Sequence, residues 1–385
     1  LQTTRRLQPD IRKIARLIPP SGNLVQGQNE TALNPSLARA LNEVVAAGLN
    51  HYSFFEGVDE LRRAVAEKIR SNNGIEVDHE RRPLELIITP GATGGIVTVS
   101  HAHLRDGSAI VFEPYYPYHK RSLETCNARA EVVKLRGDDL ALDMDELRFI
   151  CRAAKNRFDH PLRAIIVCSP ANPTGRVFTR AELEAIVDCA REFDLMIISD
   201  EVYEHFTVES SDHVSTASLP GAFERTITLN SFSKSWAVSG WRLGYLYGPG
   251  ELVAKLAPLG NIYYVCTPTP LQYALARVLL SDPSVYDRLR TDFVRKRDIL
   301  QDGLASVGFK PYQSRSAFYC WTRIPDGFAD ACELNELLMR EAQVAGVPGS
   351  AFMENTEDDV YMRFCFARED AMLEAAAERI VKALA

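Results

Sequence analysis

Up to Gly250, short apolar runs rich in β-branched residues alternate with stretches whose apolar positions fall three or four residues apart, the pattern of strands alternating with helices. The runs at 84–89, 109–113, 130–135, 164–169, 195–200, 226–229 and 242–248 predict strands. The periodic stretches at 37–45, 59–69, 94–104, 144–154 and 180–193 predict helices, the second of them capped by Asp59. Apolar strands separated by helices need cover on both faces, so this part of the chain predicts a mostly parallel sheet between helical layers. Past Gly250 the texture changes. Long helices are expected at 271–280 and 285–307, the latter long enough to bridge two domains. Hairpin-like strands follow at 308–324, then a strand at 361–367 and a closing helix at 371–385. The fold class expected is α/β, a large domain with a seven-stranded, mostly parallel sheet, joined to a smaller α+β domain.

Composition narrows the function. A chain of 385 residues that is 46% hydrophobic can bury one large core and a smaller one. A net charge of −7 gives no reason to expect nucleic acid or an acidic membrane as partner. No apolar stretch approaches the ~18 residues of a membrane span. The eight cysteines are scattered without a C-x-x-C pair, which reads as free thiols in a reducing compartment and places the protein in the cytoplasm. Arg5, Arg6, Arg12, Lys13 and Arg16 make the start of the chain basic. Asp10 and Pro19-Pro20 interrupt that run, so a docked arm or helix is expected there rather than a transit peptide.

In an open α/β sheet, ligands bind outside the carboxyl ends of the strands, and Glu113, Asn172, Asp200 and Lys234 all fall at or just past such ends. Lys234 follows an apolar run and a Ser-Phe-Ser turn, among small and hydroxyl-bearing neighbours, with Arg242 two helical turns downstream. That setting suits an amine held in a cleft, where desolvation and a nearby cation disfavour its charge and leave a nucleophile. A lysine that forms a Schiff base with an aldehyde cofactor needs such a setting. Gly91-Ala92-Thr93-Gly94-Gly95 follows a strand and opens a helix, whose free N–H groups and dipole favour an anion. Arg363 is an isolated cation in an apolar run and requires an anionic partner.

Cys168-Ser-Pro-Ala-Asn-Pro-Thr-Gly175, Ser199-Asp-Glu-Val-Tyr203 and Ser231-Phe-Ser-Lys-Ser235 occur in that order, each after an apolar run, with Arg242 and Arg363 downstream. From about Leu24 to the C-terminus this series resembles the fold-type I pyridoxal-phosphate enzymes, and among them the class I/II aminotransferases. The resemblance implies pyridoxal 5′-phosphate as cofactor, with Lys234 as its covalent anchor and the general acid–base. Asp200 would face the pyridine nitrogen and Tyr203 and Asn172 the 3′-oxygen. Gly91, Ala92, Thr93, Ser231, Ser233 and Arg242 would cradle the phosphate. Tyr116 would stack on the ring, although Tyr115 and Tyr118 stand beside it in the same motif. Arg363 would clamp the α-carboxylate, with Gly27 and Asn172 also against the substrate; Gln28-Asn29-Glu30 departs from the Pro-Asp that usually follows that glycine.

Tyr52 resembles a tyrosine that reaches the phosphate from a neighbouring subunit, which would make the protein a homodimer with its active sites at the interface; packing beside the following helix is the other reading. The family also implies a discontinuous small domain, 1–45 with 286–385, around a large domain of 46–285. The expected reaction moves an amino group from an L-amino acid to a 2-oxo acid. Tyr263, Tyr264, Phe318 and Tyr319 are candidates for the side-chain pocket and suggest an apolar or aromatic donor. Lyases, synthases and oxidases of the same fold share the carbanion at Cα and stay open as alternatives. A binding or regulatory relative would be expected to lack Lys234, Asp200 or Arg363, and this chain has all three. No metal is expected.

Overall fold

The computed structural model describes residues 10–385 except 81–83, 210–211, 283 and 355–358; Arg5 and Arg6 lie outside the described residues. Seven strands form the principal sheet: β1 Leu86–Thr89, β2 Ser108–Glu113, β3 Arg129–Lys134, β4 Leu162–Cys168, β5 Met196–Asp200, β6 Thr226–Ser231 and β7 Gly244–Tyr247. Their order is β1-β7-β6-β5-β4-β2-β3. The pairs from β6 through β3 are parallel, and β7 runs antiparallel to both of its neighbours.

Successive residues of the central strands enter opposite cores. Ala109, Val111, Ile166 and Ile198 pack on one face with Ile96, Val99 and Leu104. Ile110, Phe112, Ile165, Val167 and Ile197 pack on the other with Leu147, Leu183 and Ile186. Burial on both faces is why these strands read as continuous apolar runs rather than alternating ones.

Register prepares the site. Cys168 pairs with Asp200 and Asp200 with Leu229, so β4, β5 and β6 end at one level. On the other side of β6, Gly244 lies opposite both Ser231 and Thr89. The antiparallel β7 thus brings the Arg242 turn between the end of β6 and the Gly91 turn.

A second sheet, antiparallel and ordered β10-β11-β9-β8, comprises β8 Lys310–Pro311, β9 Tyr319–Arg323, β10 Val347–Pro348 and β11 Tyr361–Cys365. Leu24 shares its core with Phe293, Leu300, Phe318, Phe364 and Leu373, while Ile18 and Val25 pack with Trp321, Val347 and Phe352. The stretch after Pro19-Pro20 therefore docks on elements some three hundred residues later in the chain. Before it, the basic stretch from Ile11 to Leu17 is a short helix capped by Asp10. Among the described residues, no helix is long and apolar enough to cross a membrane.

Local departures from the sequence reading have local causes. Asp59 is the first residue of helix Asp59–Asn73 rather than its cap; Val58 occupies the cap position, and the Asp59 carboxylate pairs with Arg62. That helix outruns its apolar stripe and stops at Gly74, which takes φ +67°. The helix expected at 94–104 starts earlier, at Gly91, and its last turn widens over Ser100–Leu104. Helix Pro117–Glu124 was invisible to periodicity because His119 and Ser122 are buried beside Leu123.

Inside the principal domain Lys68 pairs with Glu204 and also donates to the Tyr245 hydroxyl at 2.8 Å. Burial by itself would raise the Glu204 carboxyl, but the Lys68 ammonium and nearby histidines hold it well below the usual carboxylate range. Asn230 Nδ2 donates to the same carboxylate, and its Oδ1 accepts from the Ser231 amide at 2.7 Å, so the pair braces the end of β6. Lys68→Met should strand that carboxylate and lower stability by about 3–5 kcal/mol in a denaturant titration; an unchanged midpoint would contradict the role of the pair.

Candidate active site

Lys234 emerges from β6 on the short helix Phe232–Ser235, capped by the Ser231 hydroxyl, which accepts from the Ser233 amide at 3.2 Å. The Lys234 Nζ donates to the Gly27 carbonyl at 2.5 Å. Burial lowers its pKa to about 8; the charges of Arg242 and Arg363 act in the same direction, and Cys365 and Asp200 oppose them. Gly27 is there for space as much as contact, because a Cβ would sit 1.9 Å from the Tyr319 hydroxyl oxygen.

Asp200 ends β5 in a buried position, with its Oδ2 2.8 Å from His119 Nε2. With the carboxylate ionised, Nε2–H donates. The edge of the His119 ring in turn meets Tyr116, at 5.4 Å between centroids and 86° between planes. The Tyr203 and Tyr319 hydroxyls lie 2.7 Å apart, and Asn172 Nδ2 donates to the latter at 3.4 Å. Burial, chiefly, pushes the Tyr203 phenol well above its ordinary range, so it acts as a neutral hydrogen-bonding group.

Arg363 is 2% exposed. Its Nη1 donates to Asn172 Oδ1 at 2.8 Å and its Nη2 to the Val25 carbonyl at 2.6 Å, and the guanidinium lies 4.4 Å from the Tyr319 ring centroid. Its Nε is buried with no hydrogen-bond partner, and no carboxylate pairs with it among the described residues. A buried guanidinium left this way is built to receive an anion.

The anion corner opposite holds Ala92, Thr93, Ser231, Ser233, Ser239 and Arg242, all on the wall of one cavity of about 740 Å³. Arg242 donates to the carbonyls of Ser239 at 2.8 Å and Pro90 at 3.3 Å. Gly91 adopts φ +68°, and a Cβ there would lie 2.6 Å from Arg242 Nη2. The same cavity is lined by Gly27, Tyr116, Asn172, Asp200, Tyr203, Lys234, Tyr319 and Arg363. Thus every proposed site residue except Gly91, which backs the wall, and Tyr52 faces one space.

Tyr52 is 85% exposed and apart from its own chain's cavity. Of the four pocket candidates only Tyr319 lines the cavity. Phe318, its neighbour in sequence, lies in the turn before β9 and packs behind it, with its ring roughly perpendicular to Tyr203 at 5.1 Å between centroids. Tyr264 packs on Phe55, and the Tyr263 hydroxyl bonds to His101. Sequence reasoning missed His119, Arg121, Arg12 and Gln26, which also line the wall, as does Tyr118 of the Tyr116 motif. Nothing local connects His119 to a carboxylate 81 residues away; only its place one turn beyond Tyr116 hinted at a shared face.

A phosphorylated heterocyclic aldehyde fits this donor set, which puts hydroxyls, helix-start amides, an arginine without a carboxylate partner among the described residues, a buried amine and a buried carboxylate on the wall of one cavity. The architecture is that of an α/β enzyme that handles a small anionic substrate beside a buried amine. Residues 21–380 match the family described as aminotransferase class I and II, so the chain belongs to that family and is an aminotransferase; the family uses pyridoxal phosphate. The chain is 36% identical over 346 residues to an aspartate aminotransferase of Pyrococcus abyssi, covering 89% of this chain and 86% of the relative. It is likewise 36% identical to aromatic-amino-acid aminotransferase 2 of Thermococcus litoralis, with coverages of 89% and 86%. Among solved structures, N-succinyldiaminopimelate aminotransferase from Mycobacterium tuberculosis superposes with a TM-score of 0.89 at 31% identity, over 97% of this chain and 96% of that one.

Because burial favours the free base of Lys234, acylation of its amine in cofactor-stripped protein should rise with pH about a midpoint of about 8, read by peptide mass spectrometry. A midpoint matching the surface lysines would contradict the buried setting.

Proposed function

We propose that this aminotransferase holds pyridoxal 5′-phosphate in the cavity beneath Gly27 and moves the amino group of an L-amino acid to a 2-oxo acid. The observation that carries the reading is the buried Arg363, without a carboxylate partner among the described residues, in the same cavity as the low-pKa Lys234. When bound, the cofactor supplies an aldehyde for covalent linkage and a ring that draws electrons from the substrate Cα.

This chain's residues do the rest. Arg363 takes the α-carboxylate in a two-pronged grip and so orients the Cα–H bond toward Lys234. Lys234, freed by the incoming amine, removes that proton and returns one at the neighbouring carbon, acting as both base and acid. Asp200, held by His119, would face the ring nitrogen with its carboxylate. Tyr203 and Asn172 would supply hydrogen bonds to the 3′-oxygen. Ala92, Thr93, Ser231, Ser233 and Arg242, with Gly91 behind them, hold the phosphate.

Several finer points belong to the same proposal. A homodimer with shared active sites is supported by the exposed apolar patch of Tyr52, Phe54, Ile262, Tyr263 and Val265. The two segments that carry the patch are joined where the Ser53 amide donates to Thr269 Oγ1 at 3.1 Å. The domain division of 46–285 against 1–45 with 286–385 finds support at Leu24 and Val25, which pack on the second sheet. Leu37, Ala40 and Val44 instead pack with Leu61, Val65 and Leu275 of the large domain, which moves the first boundary ahead of helix Pro35–Ala46. A cytoplasmic location suits the eight free thiols, of which Cys151 and Cys189 lie 3.5 Å apart unbonded. An apolar or aromatic donor is the first to assay, since Ile11, Ile96, Pro117 and Tyr118 line the wall; Arg12, Arg121 and Gln26 line it too.

The test is an absorbance scan of the holoenzyme with phenylalanine, tyrosine, methionine and aspartate, followed by product analysis. Transamination should convert the cofactor band and yield a 2-oxo acid, with no ammonia or sulfide released; release of either without an acceptor would identify a lyase instead. Lys234→Ala should cut turnover by about 10²–10⁴-fold and abolish borohydride labelling at that position. Full turnover in that variant would overturn the assignment. Arg363→Lys, which loses the planar fork, should raise KM for the amino acid by about 10- to 100-fold, whereas an unchanged KM would remove the clamp.

A further inference from the structure

The stretch Asn23–Glu30, which includes the Gln28-Asn29-Glu30 departure from the family pattern, forms no regular element beyond a single bridge, Asn23 to Ala345. Yet its carbonyls are taken up one after another. Leu24 accepts from the Cys365 amide at 2.7 Å, Val25 from Arg363 at 2.6 Å and Gly27 from Lys234 at 2.5 Å. Three more, those of Asn23, Gln26 and Gln28, accept from one side chain. Arg368 donates from Nε to the Asn23 carbonyl at 2.9 Å, from Nη2 to Gln26 at 2.7 Å and from Nη1 to Gln28 at 2.7 Å. Nη1 also reaches the Ala367 carbonyl at 3.2 Å. Arg368 is 1% exposed, and the one carboxylate paired with it among the described residues, that of the exposed Glu30, stands 3.5 Å away. A guanidinium so deeply buried and answered mostly by carbonyls needs all of them.

We propose that Arg368 is a positioning residue of the active site: by gripping the carbonyls of Asn23, Gln26 and Gln28 it shapes the substrate wall and sets the Gly27 carbonyl against Lys234. Gln26, Gly27 and Gln28 line the cavity, so the grip fixes three consecutive wall residues at once. Asn29 closes the arrangement from the other side, its Nδ2 donating to the Lys234 carbonyl at 2.9 Å. Arg368 touches neither the phosphate corner nor the Asp200–His119 pair, and acts on substrate only through the wall. The planar fork is essential, because an ammonium offers its donors from one point and reaches fewer of three spread carbonyls.

The inference rests on the aminotransferase reading of the cavity, and its test separates the two. Arg368→Lys and Arg368→Met are compared with wild-type holoenzyme, using phenylalanine and aspartate as donors and 2-oxoglutarate as acceptor. Misplacing the wall should raise KM for the donor by about tenfold to a hundredfold, with a smaller change in kcat. Cofactor affinity should hold within about a factor of two, because the phosphate corner is independent of the grip. Hydrogen–deuterium exchange should quicken at residues 23–30 and not across the principal sheet. A lowered melting temperature with KM unchanged, or exchange that rises everywhere, would reduce Arg368 to a structural residue and overturn the proposal. Should neither variant fold, wild-type exchange decides: slow exchange at 23–30 supports the grip, and rates like those of exposed loops refute it. If wild type transaminates neither donor, the substrate reading used here fails, while cofactor affinity and exchange still judge Arg368.

Discussion

Three cations meet one irregular stretch of main chain, and its carbonyl oxygens satisfy them where carboxylates would be expected. Lys234, Arg363 and Arg368 divide the carbonyls of Asn23, Val25, Gln26, Gly27 and Gln28 among them. The choice of partner matters physically. A carboxylate beside Lys234 would keep it protonated, and one beside Arg363 would occupy the charge meant for substrate. Neutral carbonyls satisfy the donors without cancelling the field, so the cleft stays electropositive and the amine stays weakly basic.

The negative charge the chemistry calls for is kept elsewhere. Asp200 is placed by β5 and held by His119, while Lys234 Nζ is satisfied by the Gly27 carbonyl. Sheet register maintains the separation. Parallel pairing lines up the ends of β4, β5 and β6, and the antiparallel β7 returns Arg242 and Gly244 beside Ser231. Anion corner, amine and carboxylate are therefore spaced by the strand repeat, and the buried Lys68–Glu204 pair stiffens the strand that ends at Ser231 and leads into the short helix of Lys234.

Much of this was legible beforehand. Strands buried on both faces leave continuous apolar runs, and chemistry at their carboxyl ends followed from the sheet type, so Asp200, Asn172 and Lys234 were found from position. Arg363 stood out because an arginine has no inexpensive reason to sit in an apolar strand. Elements with polar inner faces stayed hidden. Helix Pro117–Glu124 turns His119 and Ser122 inward, and no hydrophobic period marks it. Tyr263, Tyr264 and Phe318 lie outside their own chain's cavity for the converse reason: aromatic residues signal burial or exposure to a partner equally well, and composition does not say which space they face.

The sequence by itself determined the alternation of strand and helix, the order of the motifs, and which residue types had the chemistry for an amine, an acid and an anion clamp. These follow from periodicity and intrinsic side-chain properties, which are local. Only the tertiary structure decided that His119 meets Asp200, that a turn near the N-terminus accepts from Lys234, and that Arg368 serves mostly main-chain carbonyls. Those contacts join positions dozens to hundreds of residues apart, and their geometry exists only once both sheets have packed.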